Sequence, residues 1–164
     1  MSTSTPEQVT TPTSELNPNL QTAADLVTNH AAETTTPEPN RLDAVIDAAA
    51  LVDVVQALVD ARWGYLSTIT GVDLGVEADQ LEMLYHFCEG ADILTLRVRV
   101  PRCGGVVPSV CGAIPSASMY ERELIEMFGI TVTDTPNAER LFLPEDWPDG
   151  VYPLLKDFSM DQLS

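Results

Sequence analysis

The stretch from Tyr120 to Phe158 constrains this chain more than any other. It opens as a charged helical pattern, breaks at Gly129, passes through a short strand-like run and ends in a tail punctuated by proline and tryptophan. Pro144, Pro148 and Pro153 each remove a backbone donor and fix φ, so neither a helix interior nor a central strand can run through them. Yet Leu141, Phe142, Leu143, Trp147, Tyr152, Leu154, Leu155 and Phe158 are too apolar for a solvated linker. A buried Trp alone removes ~150–250 Å² from water, roughly 4–6 kcal/mol as an upper bound. The tail must therefore lie on something, either its own domain or a partner.

The charge balance narrows the kind of partner. Eight Lys and Arg stand against 25 Asp and Glu, a formal net charge of -17. Nucleic acid and anionic membrane surfaces need clustered cations and are disfavoured. No apolar run approaches the ~20 residues that cross a bilayer, so no direct membrane insertion is expected. The first basic residue is Arg41, which fits neither a secretory nor a transit leader, and a soluble cytosolic chain is expected. Cys88, Cys103 and Cys111 form no C-x-x-C pair, and with His30 and His86 they supply no recognisable metal or cluster ligand set. Reduced, mostly buried thiols are expected.

Residues 1–40 are rich in Thr, Pro, Ser, Glu and Asn and lack aromatics, so they are expected to be disordered, with a short amphipathic patch at Leu20–Val27. Residues 41–134 form the core domain. Leu42–Ile46 suits a first strand, and Asp47 an N-cap for a helix to Ala61 in which Leu51, Val54, Val55, Leu58 and Val59 make one apolar stripe. Strands are predicted at Tyr65–Val72, Leu81–Cys88 and Ile93–Val100, separated by Gly-containing turns that favour antiparallel pairing. Pro101–Pro115 reads as a loop with an extended piece at Val106–Val110. A second helix starts between Pro115 and Ser118, where Ser118-x-x-Glu121 fits a capping box, and ends on Gly129. Ile130–Thr133 is a last short strand. The fold class is α+β, a two-layer domain with a mixed, mostly antiparallel sheet covered by helices. Residues 135–164 form an extended, partner-docking tail.

Candidate chemistry is thin. Glu121 and Glu123 point about 200° apart on a helix with Arg122 between them, which suits a solvated face with local ion pairs better than an acid–base dyad. His86 stands between Tyr85 and Phe87 without a triad-like neighbour, and Arg102-Cys103-Gly104-Gly105 matches no phosphate-binding loop.

The run Glu121-Arg122-Glu123-x-x-Glu126-Met127-Phe128-Gly129-Ile130 resembles the signature of the 30 kDa-type subunit (the C subunit) of proton-pumping NADH:quinone oxidoreductase, respiratory complex I. Gly71-Val72-Asp73-Leu74, Leu84-Tyr85-His86-Phe87, Val107-Pro108-Ser109-Val110, Pro144-Glu145-Asp146-Trp147, and Tyr152-Pro153-Leu154 with Lys156-Asp157 resemble further landmarks in the same order. Departures are Met119 where the family usually has Trp, Asp134-Thr135-Pro136 for Gly-His-Pro, Glu139-Arg140 for a basic pair, and Leu155 for Arg. The resemblance implies a non-catalytic peripheral-arm subunit on the cytoplasmic side of the membrane. It would hold no cofactor itself and scaffold the large quinone-site subunit, while FMN, iron–sulfur clusters and quinone belong to partner subunits. It further implies that Glu121, Arg122, Glu123 and Glu126 form a structural and interfacial ion-pair cluster, with Arg140, Trp147, Tyr152, Lys156 and Asp157 in the docking tail. The equivalent small subunit of a membrane-bound nickel–iron hydrogenase is the alternative. A generic acidic interaction domain and a stand-alone enzyme using Glu121, Glu123 or His86 are more distant readings.

Overall fold

The computed structural model describes residues 16–163. A five-stranded sheet runs in the order β1-β2-β5-β4-β3, formed by β1 (Ala31–Glu38), β2 (Arg41–Ile46), β3 (Tyr65–Asp73), β4 (Gln80–Glu89) and β5 (Asp92–Pro101). Only β2 and β5 pair in parallel, and the other neighbours are antiparallel. The expected mixed, mostly antiparallel α+β architecture is the one observed. Strand alternation sets two faces: Leu42, Ala44, Leu81, Met83, Tyr85, Phe87, Leu94, Leu96 and Val98 turn to one side and are nearly or fully buried. With them pack Leu51, Val54, Val55 and Leu58 of α2 (Leu51–Asp60) and Leu124 and Phe128 of α3 (Ser118–Phe128).

The N-terminal boundary needs correction. Residues 1–15 of the segment expected to be disordered lie outside the described residues, but order begins well before Arg41. Helix α1 (Pro18–Val27) starts on Asn17, whose side chain accepts from the Asn19 and Leu20 N–H groups at 3.1 and 2.9 Å. Leu20, Ala23 and Val27 are wholly buried on one helical face, and the Trp63 indole donates to the Asn19 carbonyl at 3.0 Å. β1, rich in β-branched Thr, then forms a hairpin with β2.

Two helix starts also differ from expectation. A 3-10 turn, Ala48–Ala50, separates Asp47 from α2, and Asp47 makes no capping bond. A second such turn, Pro115–Ala117, feeds directly into α3, so Ser118 is already helical and no capping box forms. Within the loop after β5, β6 (Val106–Pro108) pairs in parallel with β7 (Thr131–Thr133). Gly129 closes α3 at φ 73°, the left-handed cap expected from the sequence.

Candidate interface built by the third helix and the tail

Helix α3 carries the charged signature, and two of its three acids, Glu121 and Glu126, face inward. Glu121 is 1% exposed. It accepts from Ser109 Oγ at 2.8 and 3.0 Å, from the Val110 N–H at 2.8 Å and from Cys111 Sγ at 3.2 Å. Burial pushes the Cys111 thiol up, and the bond to Glu121 adds to it. Glu126, 7% exposed, accepts three consecutive N–H groups, from Leu141, Phe142 and Leu143, at 3.1, 2.9 and 2.6 Å. That is a backbone nest for an anion made by the tail itself. Arg122 donates to the carbonyls of Glu139 and Arg140 at 2.8 and 2.6 Å.

The expected ion-pair cluster is therefore not formed: Glu121 and Glu126 contact no cation among the described residues, and Arg122 holds main-chain oxygens. The physical reason is that irregular segments bring unpaired N–H and C=O groups to α3, and these need ionised partners more than the side chains need each other. Glu123 is half-buried and makes no polar contact among the described residues. Glu121 lies on the Tyr85 side of the sheet and His86 on the opposite face, so the groups considered for acid–base work are not brought together. His86 instead sits 3.1 Å from Thr95 Oγ1, and burial, then Arg41, lowers its pKa.

The rest of the tail wraps back onto its own domain. Tyr152 packs its ring against Gly129, where a Cβ would come within 2.2 Å of it. Any side chain at 129 would have to displace that ring as well as adopt positive φ. The Leu154 N–H reaches the Met127 carbonyl at 3.2 Å. Trp147 stacks on Phe158 with ring centroids 6.2 Å apart, and its indole N–H is taken by the Val151 carbonyl at 2.8 Å. Arg140 donates to Asp149 at 2.9 Å and to the Pro144 carbonyl at 2.9 Å. Between α3 and this strap lies a cavity of about 260 Å³ lined by Glu126, Arg140, Trp147 and Tyr152.

A second anchor goes beyond the expected cluster. Asp73, 3% exposed, accepts from Arg102 at 3.0–3.1 Å, from the Gly75 N–H at 2.9 Å and from the Lys156 N–H at 2.8 Å. Arg102 also grips Asp157. Burial alone would raise the Asp73 carboxyl, but Arg102 and the two N–H groups outweigh it and hold it at about 2. Lys156 thus contributes its backbone, and Asp157 its carboxylate. The only sign in the sequence is that Gly71-Val72-Asp73-Leu74 and Lys156-Asp157 are both landmarks. Of the thiols, Cys111 is buried, Cys88 half-buried and Cys103 exposed, so the expectation of mostly buried cysteines holds for one of them fully.

Fold and site together define a class: an α+β domain whose third helix and sheet edge clamp a C-terminal strap in a fixed path. The family described as the respiratory-chain NADH dehydrogenase, 30 Kd subunit, matches residues 44–163, and this chain belongs to it. The C subunit of the NADH-quinone oxidoreductase of Roseiflexus sp. (strain RS-1) is 38% identical over 65% of this chain and 63% of its own length. The C subunit of the F(420)H(2) dehydrogenase of Methanosarcina mazei is 32% identical over 73% of this chain and 77% of its own. Formate hydrogenlyase subunit 5 of Escherichia coli is 34% identical over 83% of this chain but only 24% of its own. The chain thus spans less than two thirds of several curated relatives it matches. Among solved structures, a chain of the archaeal membrane-bound sulfane sulfur reductase superposes with a TM-score of 0.71 at 22% identity, covering 89% of this chain and 88% of that one. The trypsin-resistant fragment of Nqo5 gives 0.59 at 19% identity, over 72% and 95%. These two likenesses show the fold.

Proposed function

We propose that this chain is a non-catalytic peripheral subunit of a membrane-associated, quinone-reducing respiratory complex, where it braces the large subunit that forms the quinone site. FMN, iron–sulfur clusters and quinone would reside in partner subunits, and the assembly would face the cytoplasm. The observation that carries this reading is the strap. Its inner side is tied down by Glu126, Arg122, Asp73 and Arg102, while Phe142, Leu154 and Met160 remain 63%, 50% and 69% exposed on it. An irregular segment fixed in place with apolar side chains turned outward is pre-organised to dock, because its ordering entropy is lost before the partner arrives.

A second reading, the equivalent subunit of a hydrogenase-type complex, is favoured by the likeness to formate hydrogenlyase subunit 5. That protein extends far beyond the matched part, as expected of a domain that works against a fixed neighbour. That relatives named for NADH-quinone oxidoreductase, F(420)H(2) dehydrogenase and formate hydrogenlyase share this segment supports an electron donor set elsewhere in the assembly.

The test is a mild-detergent pull-down of the tagged chain, with mass spectrometry and absorption spectra of what it retains. The reading expects iron–sulfur-bearing chains and a large quinone-site subunit. Nickel in the eluate selects the hydrogenase-type reading, and a lone monomer overturns both. Trp147→Ala removes one wall of the strap and should leave the domain folded while weakening retention about tenfold. Truncation after Asp134 strips Glu126 of its three N–H donors and should abolish retention.

A further inference from the structure

Helix α2 ends in a Schellman motif: the Trp63 N–H bonds the Leu58 carbonyl at 2.9 Å and the Arg62 N–H bonds the Val59 carbonyl at 3.0 Å. The residue in the left-handed position is Arg62, at φ 53°, where glycine is the usual choice. The other two non-glycine residues at positive φ among the described residues, Asp79 and Asp134, are of a type that tolerates it. Strain at an arginine invites the question of what holds the arginine there.

Its surroundings answer it. Arg62 stands at the lip of a groove of about 470 Å³ whose walls are Val59, Trp63, Tyr65, Phe87 and Ile114. The Trp63 indole N–H is already satisfied by Asn19, so the walls offer apolar surface. Of these walls Val59 and Tyr65 are 37% and 66% exposed, and Val52, 38% exposed, extends the apolar surface beyond the groove. The two valines lie two turns apart on α2, about 10 Å, a span that suits a polypeptide better than a small molecule. Arg41, Arg97, Arg99, Arg102 and Arg140 all pair with carboxylates, and Arg122 holds carbonyls. Arg62 has no polar side-chain partner among the described residues, in a chain of net charge -17. An exposed guanidinium held by no protein group, beside an apolar groove, is complementary to an acid next to a large apolar side chain.

We propose that this groove receives a segment of a partner polypeptide that lays a large apolar side chain against Val59 and Tyr65 and places a carboxylate on Arg62. It is a second docking surface, away from the strap, and it rests on the reading of the chain as a subunit.

The test uses the full tagged chain in its assembled complex. Arg62→Gly relieves the strain while removing the charge, so it should raise the Tm of the isolated chain by about 2–4 °C and lower partner retention about tenfold. Arg62→Lys keeps the charge and should retain the partner. A photo-crosslinking residue in place of Tyr65 should label one acidic, apolar segment of a partner subunit. Full retention by Arg62→Gly together with no crosslink at 65 overturns the groove and leaves the subunit reading intact. Wild-type chain recovered alone removes the subunit reading, and the groove with it.

Discussion

The two sides of this molecule bury carboxylates by different means. On the sheet face away from the core, Glu82, 2% exposed, lies between Arg97 at 2.6 Å and Arg99 at 2.8 Å. Asp43, 5% exposed, takes Arg41 at 2.9 Å and Arg97 at 3.3 Å. On the α3 side, Glu121 and Glu126 are as deeply buried and meet no cation among the described residues, only N–H, O–H and S–H donors. The sheet acids sit on strands already joined by a backbone ladder, so their arginines add to an order that exists without them. The α3 acids bond to Ser109–Cys111 and Leu141–Leu143, irregular segments whose one ladder bond is from the Ser109 N–H to the Thr133 carbonyl at 2.8 Å. There the carboxylate substitutes for secondary structure.

Removing an α3 acid should then cost more than removing a sheet acid's partner. Glu121→Ala strands the Val110 N–H and the Ser109 and Cys111 side chains in a buried site and should destabilise the domain by about 3 kcal/mol. Arg99→Ala, which removes a guanidinium whose side chain is 45% exposed, should cost under about 1 kcal/mol. Urea midpoints of the two variants measure the contrast directly, and equal losses would erase it.

This contrast also explains which parts of the structure were legible in the sequence. The sheet was, because Arg97 and Arg99 alternate with Leu96 and Val98 and the period of two fixes the buried face. So were the stripe of α2 and the stop at Gly129. Helix α1 showed only as the amphipathic patch at Leu20–Val27: the Thr- and Pro-rich composition of the first 40 residues masked that it packs as an ordered helix, and it hid the β-branched run of β1 beside it. The inward turn of Glu121 and Glu126 left no pattern to read. Charges on a short helix look solvated, and their partners, backbone N–H groups with the Ser109 and Cys111 side chains, lie 10 to 17 residues away, outside any helical spacing. The Asp73–Arg102–Asp157 clasp joins residues 29 and 55 apart, beyond any local periodicity.

A smaller effect separates the strap from the domain it lies on. Glu126→Gln keeps an acceptor oxygen but sets an amide against three N–H donors, and should loosen the strap by about 2 kcal/mol while the sheet stays intact. Amide exchange at Leu141, Phe142 and Leu143 should quicken about 30-fold, with the amides of β4 and β5 unchanged. Parallel quickening in both would mean that strap and sheet open as one unit, and that the carboxylate nest anchors nothing separately.

The smallest effect is one of pH, and it tests whether an arginine-held acid can behave like an α3 acid when it too holds irregular chain. Asp73 is such a case, since it binds both Arg102 and the Lys156 N–H of the strap. Its carboxyl is lowered from 3.8 to about 2, so the ionised form is the one that folding favours. A depressed carboxylate adds stability that is fully present above its unfolded value and drains away as pH falls through its folded one. Asp73→Asn should therefore cost about 1 kcal/mol near neutrality, because Arg102 retains Asp157 and the amide still accepts one bond. The gap between wild type and variant should close between about pH 4 and pH 2. Glu82 is also lowered, by its two arginines against the opposing effect of burial, so acid alone weakens both proteins and only the difference between them reports the clasp. A gap that stays constant down to pH 2 would show that Asp73 acts through shape, as a spacer under the strap. In that case the charge-held and backbone-held acids of this fold would be different in kind and not only in partner.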